Sequence, residues 1–140
     1  MRRVLLVLLM ASALAPAAAA APVSITGAWF RALPGTLPAA GYLTLTNTGS
    51  RGLALLGAQS PACGSLELHM THAMEGMVHM MAVANVDLPP GTAVRFAPGG
   101  LHLMCNAPKL QPGTNVPVTL RFSDGSQTTA AFAVRNAAGK

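Results

Sequence analysis

The chain has 140 residues, of which 51% are hydrophobic, with nine lysines and arginines against four aspartates and glutamates. Two of the basic residues lie at the extreme N-terminus, and the other seven are dispersed singly, which leaves a formal charge of +3 beyond residue 20. Because no basic cluster is interleaved with aromatic side chains, nucleic acid is not expected as a partner. A mild positive charge can still steer an acidic protein partner.

Residues 1–20 have the pattern of a secretory signal peptide. Arg2 and Arg3 precede a short apolar run over residues 4–14, and alanines at the end of the segment permit cleavage before Ala21. The run is short for a membrane span of about 20 residues. We therefore expect cleavage, no membrane span in the mature protein, and export. Retention of the leader as an N-terminal anchor is the alternative.

Residues 21–140 are predicted to form a single all-β domain. Short segments rich in Val, Thr, Leu and aromatic residues alternate with turns of Gly, Pro and Asn, and no segment shows sustained helical periodicity. The predicted strands cover residues 25–31, 41–47, 53–58, 66–71, 78–83, 93–96, 101–106, 116–122 and 128–134. About nine short antiparallel strands at this spacing indicate a Greek-key β-sandwich or barrel.

Alternation within these strands predicts which side chains enter the core. Leu43 and Leu45 face one way in their strand, and Leu103 and Cys105 share a face in theirs. All six aromatic residues are also expected in the core: Trp29, Phe30, Tyr42, Phe96, Phe122 and Phe132.

Histidine and methionine are concentrated in one window of the chain. All four histidines and six of the eight methionines lie between residues 69 and 104. A core that needed only volume would use Leu, Ile and Val and would scatter its methionines. Imidazole and thioether together, with few charges nearby, form the ligand set of a soft metal ion, and copper is the metal predicted.

The predicted strands can bring four of these donors to one end of the sandwich. His102 and Met104 are two residues apart and therefore share one face of a strand. His69 lies on an earlier strand, and Met80 lies on the second arm of a hairpin that turns at residues 75–76. Three strand segments thus supply four donors.

The spacing of these residues, H-x10-M-x21-H-x-M from His69 to Met104, resembles the signature of the PCuAC family of periplasmic copper chaperones. Residues 25–31, 41–45, 67–69 and 98–104 are similar to that family as well, so the resemblance covers nearly all of the chain after the leader. It implies a cupredoxin-like β-sandwich that binds one Cu(I). By the match, the ligands are His69, Met80, His102 and Met104.

The resemblance also implies a role in copper homeostasis. A carrier of this family hands Cu(I) on toward the binuclear copper site of a cytochrome c oxidase subunit, together with a Sco-type thiol protein. We expect a monomer. The four carboxylates are scattered and the serines lack a nucleophile motif, so no enzymatic activity is expected.

The hairpin carries more soft donors than the signature requires. Met80 and Met81 are adjacent and point to opposite faces of a strand, so Met80 is assigned as the ligand and Met81 to the core. His72 and His79 either bind a second metal or are solvated. A copper storage or resistance protein, using these extra residues, is therefore an alternative function.

Two cysteines leave two further interpretations open. In an exported protein Cys63 and Cys105 can form a disulfide, or Cys105 can be a buried thiol beside the metal. The second arrangement would permit a blue-copper electron-transfer protein, which needs a thiolate with two histidines and a weak axial methionine. A sandwich with a purely structural or interaction role is the remaining alternative.

Overall fold

The computed structural model describes residues 12–15 and 19–140. The predicted signal peptide falls largely outside this range, so its cleavage stays a prediction. Within the described residues no helix is long and apolar enough to cross a membrane.

Ten strands make up the described domain, one more than the sequence predicts. They are β1 (Val23–Arg31), β2 (Ala39–Asn47), β3 (Leu53–Gln59), β4 (Ser65–Met74), β5 (Met77–Ala82), β6 (Val86–Leu88), β7 (Ala93–Phe96), β8 (Leu101–Asn106), β9 (Asn115–Phe122) and β10 (Gln127–Arg135). Nine coincide with predicted segments. The strand that the sequence missed is β6, whose three residues are too few to display a period of two. Its pairing with β3 defines it.

Hydrogen bonding runs through the strands in the order β5-β4-β8-β2-β1-β10-β9-β3-β6, with β7 also paired to β2. Residues from both halves of this path share one buried cluster, so the strands form the two layers of the predicted sandwich. Among the described strands, eight of the nine pairings are antiparallel, as predicted, and one is parallel. The end of β1 pairs in parallel with the end of β10, from Trp29 opposite Ala133 to Arg31 opposite Arg135.

The core contains five of the six aromatic residues predicted for it. Phe30 and Phe132 are fully buried, with ring centroids 5.2 Å apart. The prediction was wrong for Trp29, which is only partly buried. The centroid of its ring lies 5.0 Å from that of Tyr42, and the Arg135 guanidinium lies 4.6 Å from the Trp29 centroid. Trp29 is thus held by an aromatic and a cation–π contact near the surface, and not by burial in the core.

Cys63 and Cys105 form a disulfide, with their Cα atoms 5.3 Å apart. Cys105 is fully buried on the core face of β8, beside Leu103. Closing a loop of 42 residues stabilises the fold by about 4 kcal/mol in the chain-entropy model. Because the sulfur of Cys105 is bonded to Cys63, it is not the thiolate that a blue-copper site needs. The blue-copper interpretation is therefore contradicted.

At Gly41 the backbone lies close against core side chains. A Cβ atom on Gly41 would lie 2.7 Å from Cε1 of Phe30 and 3.2 Å from Cβ of Leu103. Because both neighbours are fully buried, neither can move without disturbing the packing.

We expect Gly41→Ala to lower the free energy of unfolding by about 1–3 kcal/mol, because the added methyl group overpacks the core. Urea denaturation measures this difference. Gly52→Ala is the matched control, since nothing lies within 4 Å of a Cβ atom at that position. Equal stability of the two variants would contradict the proposed packing constraint.

Candidate metal site

Three adjacent strands set the positions of the four candidate donors. In the antiparallel pairing of β4 with β8, His69 lies directly opposite His102. Met104 follows on the same face of β8. In the pairing of β4 with β5, Met80 lies opposite Thr71, which shares the face of His69. All four donors therefore occupy one face of β5-β4-β8, opposite to the core residues of β8.

Three of the four donors line one cavity of about 330 Å³. The cavity is lined by Arg31, Leu33, Leu37, Pro38, Ala39, Ala40, Tyr42, Met80, His102 and Met104. His69 is not part of this lining, but its ring centroid is 5.7 Å from that of His102. His102 is 5% exposed and Met80 is 57% exposed. The arrangement is a buried imidazole with an accessible thioether at the mouth.

A tight turn before β8 holds the His102 ring. Residues 97–100 form a turn closed by a hydrogen bond from Gly100 N–H to the carbonyl of residue 97, with Gly99 at φ 83° as a type II turn requires. The carbonyl oxygen of Gly100 accepts hydrogen bonds from the Thr71 backbone N–H at 3.1 Å and from His102 Nδ1 at 3.2 Å. His102 Nε2 is therefore the nitrogen with a free lone pair, as in protein metal sites.

His69 is held by a neighbour on its own strand. Its Nε2 lies 3.1 Å from Oε2 of Glu67, so Nε2–H donates to the carboxylate and Nδ1 carries the lone pair. Nδ1 is buried and has no hydrogen-bond partner. Leaving a buried polar atom unpaired costs about 1–3 kcal/mol. A bound metal ion at Nδ1 would remove that cost, so the site fits a metal-binding role.

Burial lowers the pKa of His102 below its ordinary value of 6.5, and the neighbouring His69 adds to the effect against the opposing hydrogen bond to Gly100. A lowered pKa keeps the ring neutral at physiological pH. Since a proton and a metal compete for the same lone pair, this favours metal binding.

The candidate metal donors at this site include thioethers as well as imidazoles. In the part of the chain that the structure describes, no three His, Cys, Asp or Glu side chains come together as a possible metal site. The candidate donors are two imidazoles and two thioethers. These ligands are neutral and soft, which suits Cu(I) better than a hard divalent cation.

Sequence reasoning missed several residues around the site. Glu67 was left without a role, although its spacing of two from His69 on one strand could have indicated the contact. Arg31 and the loop that carries Leu33 and Leu37 gave no signal, because only the folding of β1 against β2 brings them to the cavity. The Arg31 guanidinium lies 5.7 Å from the Tyr42 ring centroid.

The assignment of Met81 to the core was wrong, because the structure leaves it 54% exposed. Met81 does face away from Met80, as predicted, but β5 is an edge strand whose residues are all exposed, and none of the described strands packs over that part of it. The face was predicted correctly, whereas its burial was not.

An all-β sandwich with histidines and methionines gathered at one face agrees with a PCuAC-type domain, and the comparisons with known proteins support that class. The family model described as putative lipoprotein LpqE-like matches residues 23–134. The chain therefore belongs to the LpqE-like family. A putative lipoprotein of Leifsonia xyli subsp. xyli is 38% identical over 132 residues, which are 92% of this chain and 79% of the relative. An uncharacterized protein of Rickettsia prowazekii is 33% identical over 98 residues, which are 68% of this chain and about half (54%) of that relative.

Solved structures confirm the cupredoxin-like fold and the resemblance to PCuAC domains. The copper-bound PCuAC domain from PmoF2 superposes with a TM-score of 0.70 at 28% identity, covering 84% of this chain and 96% of that one. The Cu(I) form of DR1885 from Deinococcus radiodurans gives 0.67 at 32% identity, covering 83% and 80%.

We expect the His102 ring of the metal-free protein to titrate with a midpoint below 6.5. As the pH falls below 6.5, His102 becomes protonated in the unfolded chain at a higher pH than in the folded protein. Protonation therefore favours the unfolded state, and the free energy of unfolding decreases. An NMR pH titration of the imidazole signals measures the midpoint, and His102→Gln assigns the signal. A midpoint at or above 6.5 would contradict the burial argument.

Proposed function

We propose that the protein is an exported copper carrier that binds one Cu(I) through His69, Met80, His102 and Met104 and passes it to a partner. The observation that carries the proposal is the convergence of these four soft donors on one face of β4, β5 and β8, with the lone pair of His69 Nδ1 buried and unpaired. The copper-bound state of the similar PmoF2 domain and the Cu(I) state of DR1885 support copper as the metal.

The donor chemistry fits a carrier rather than a permanent cofactor site. Thioethers and neutral imidazoles bind Cu(I) without the oxidation that a cysteine thiolate suffers in an oxidising compartment. Met80 is more than half exposed, so an incoming ligand from a partner can displace it. Transfer by ligand exchange needs no general acid, base or nucleophile, in agreement with a non-enzymatic role.

An oxidising compartment agrees with the disulfide between Cys63 and Cys105. The leader sequence and the description of relatives as putative lipoproteins support an exported, envelope-associated protein, for which we propose the periplasm. The proposed recipients are a cytochrome c oxidase subunit with the binuclear copper site and a Sco-type thiol protein. Those recipients rest on the family resemblance.

The mouth of the cavity has an apolar rim on which a recipient could dock. Leu37 is 55% exposed, and Leu33 beside it is exposed as well. Met80, on β5, lines the same cavity and is also exposed. Exposed apolar side chains that surround an accessible donor are typical of an interaction surface.

An anaerobic Cu(I) titration against a colorimetric chelator tests the carrier site. We expect one tight equivalent in the wild type and a loss of affinity of more than about 100-fold in His102→Ala/Met104→Ala, because altering even the groups that support a metal ligand costs 10–100-fold. Thermal unfolding of the metal-free variant shows that it still folds. Unchanged competition by the double variant would refute the assignment.

Single variants test the individual ligand positions by the same titration. Met104→Ala should weaken Cu(I) binding far more than Met81→Ala, because Met104 lines the cavity and Met81 faces away from it. Glu67→Gln should weaken binding about tenfold, since it loses the carboxylate that holds His69. Equal losses for Met104→Ala and Met81→Ala would undermine the ligand set.

Substitution of the rim should separate transfer from binding. We expect Leu37→Ser to slow copper transfer to a recipient several-fold while the affinity for Cu(I) stays close to that of the wild type, because Leu37 has no donor atom for the metal and is 55% exposed. Stopped-flow transfer to a copper-binding recipient domain measures the rate. An unchanged transfer rate would exclude this rim as the docking surface.

A further inference from the structure

The β4–β5 hairpin extends beyond the rest of the sheet. The pairing of β4 with β8 ends at Met70, and Thr71 N–H still donates to the Gly100 carbonyl, so residues 72–74 pair with β5 alone. Glu75 and Gly76 form the two-residue turn with φ of 52° and 75°, the positive values of a type I′ hairpin. The end of the hairpin is thus a two-stranded ribbon with two accessible faces.

One face of this ribbon, which we call the back face, is formed only by histidine and methionine. Its three cross-strand pairs are Met70 with Met81, His72 with His79, and Met74 with Met77. These pairs alternate with the residues of the other face, where Met80 serves the proposed carrier site. No donor is shared between the two faces.

Packing does not account for the residues at the end of the back face. His72 and His79 are exposed, while Met74 is 61% and Met77 is 62% exposed. A methionine stabilises a fold by being buried, and these two bury little. An exposed apolar edge strand is also an aggregation liability, which natural sequences usually blunt with charged residues. Burial in a core therefore does not explain why histidines and methionines occupy these exposed positions.

The register of the ribbon brings four soft donors within reach of one ion. Directly opposite side chains on antiparallel strands have Cβ atoms about 4.5–5.5 Å apart, and diagonal neighbours are about 7–8 Å apart. His72, His79, Met74 and Met77 form two such consecutive pairs. Long flexible methionine side chains can close the remaining distance to a metal held between the imidazoles.

We propose that the back face binds a second Cu(I) ion through His72, His79, Met74 and Met77. The donor set repeats that of the carrier site, two neutral imidazoles with two thioethers, and suits the same soft ion. Because these side chains are exposed and not held by neighbouring layers, the second site is weaker and exchanges faster. It raises the copper capacity of the chain to two, as a storage role would require.

This inference goes beyond the carrier site and uses different residues, so either proposal can fail without the other. Silver(I), a redox-inert substitute for Cu(I), is titrated into the purified protein labelled with ¹³C at the methionine methyl groups. We expect the first equivalent to shift the signals of Met80 and Met104. The second equivalent should shift those of Met74 and Met77.

Cu(I) stoichiometry measured anaerobically against a weak chelator gives an independent readout. We expect two equivalents in the wild type and one in both His72→Gln/His79→Gln and Met74→Leu/Met77→Leu, which retain exposed side chains of similar size. Met81→Leu, on the same face, is the matched control and should still bind two. His102→Ala/Met104→Ala should keep the second, weaker equivalent.

The proposal is overturned if the Met74 and Met77 methyl signals remain unshifted at several equivalents of Ag(I). It is equally overturned if the back-face variants still bind two Cu(I) ions. Such results would leave the exposed methionines as a protein-docking surface. Failure of the carrier site would instead show as unshifted Met80 and Met104 signals, with the back-face signals still responding.

Discussion

The register between β4 and β8 is the constraint on which the rest of the structure depends. It sets His69 opposite His102 on one face, while Leu68 and Leu103 face each other in the core. A slip of one residue would turn the imidazoles inward and the leucines outward, which makes the register costly to change. The disulfide from Cys63, just before β4, to Cys105 on β8 further restrains this pairing.

Because of that register, the two faces of β8 have different roles. On β8, Leu103 and Cys105 are buried in the core, and His102 and Met104 serve the cavity. The backbone also takes part, since the Gly100 carbonyl accepts from Thr71 and from His102 at once. The same turn therefore joins two strands and orients a candidate ligand. The same hydrogen-bonded turn thus contributes to the packing of the strands and to the orientation of the His102 ring.

The two faces of the β4–β5 hairpin differ as well, but neither face of its end is buried. Along β4 and β5, one face supplies Met80 to the cavity and the other presents His72 and His79 to solvent. Among the residues that the structure describes, no second layer covers the end of the ribbon, so Met74 and Met77 stay exposed where a packed strand would bury them. Exposure makes soft donors available for exchange, which a metal carrier requires and a core does not.

The sequence by itself determined nine of the ten strands, the face of each residue on β8, and the four candidate donors, because a period of two and fixed spacing are local properties. Tertiary structure alone decided the parallel pairing of β1 with β10, the existence of β6, the disulfide, and the exposure of Trp29 and Met81. Each of these depends on which distant segment lies alongside, and alternation along one strand carries no information about that neighbour. It was likewise the folding of β1 against β2 that brought Arg31 and Leu37 to the cavity, far in sequence from His102, which lines the same cavity.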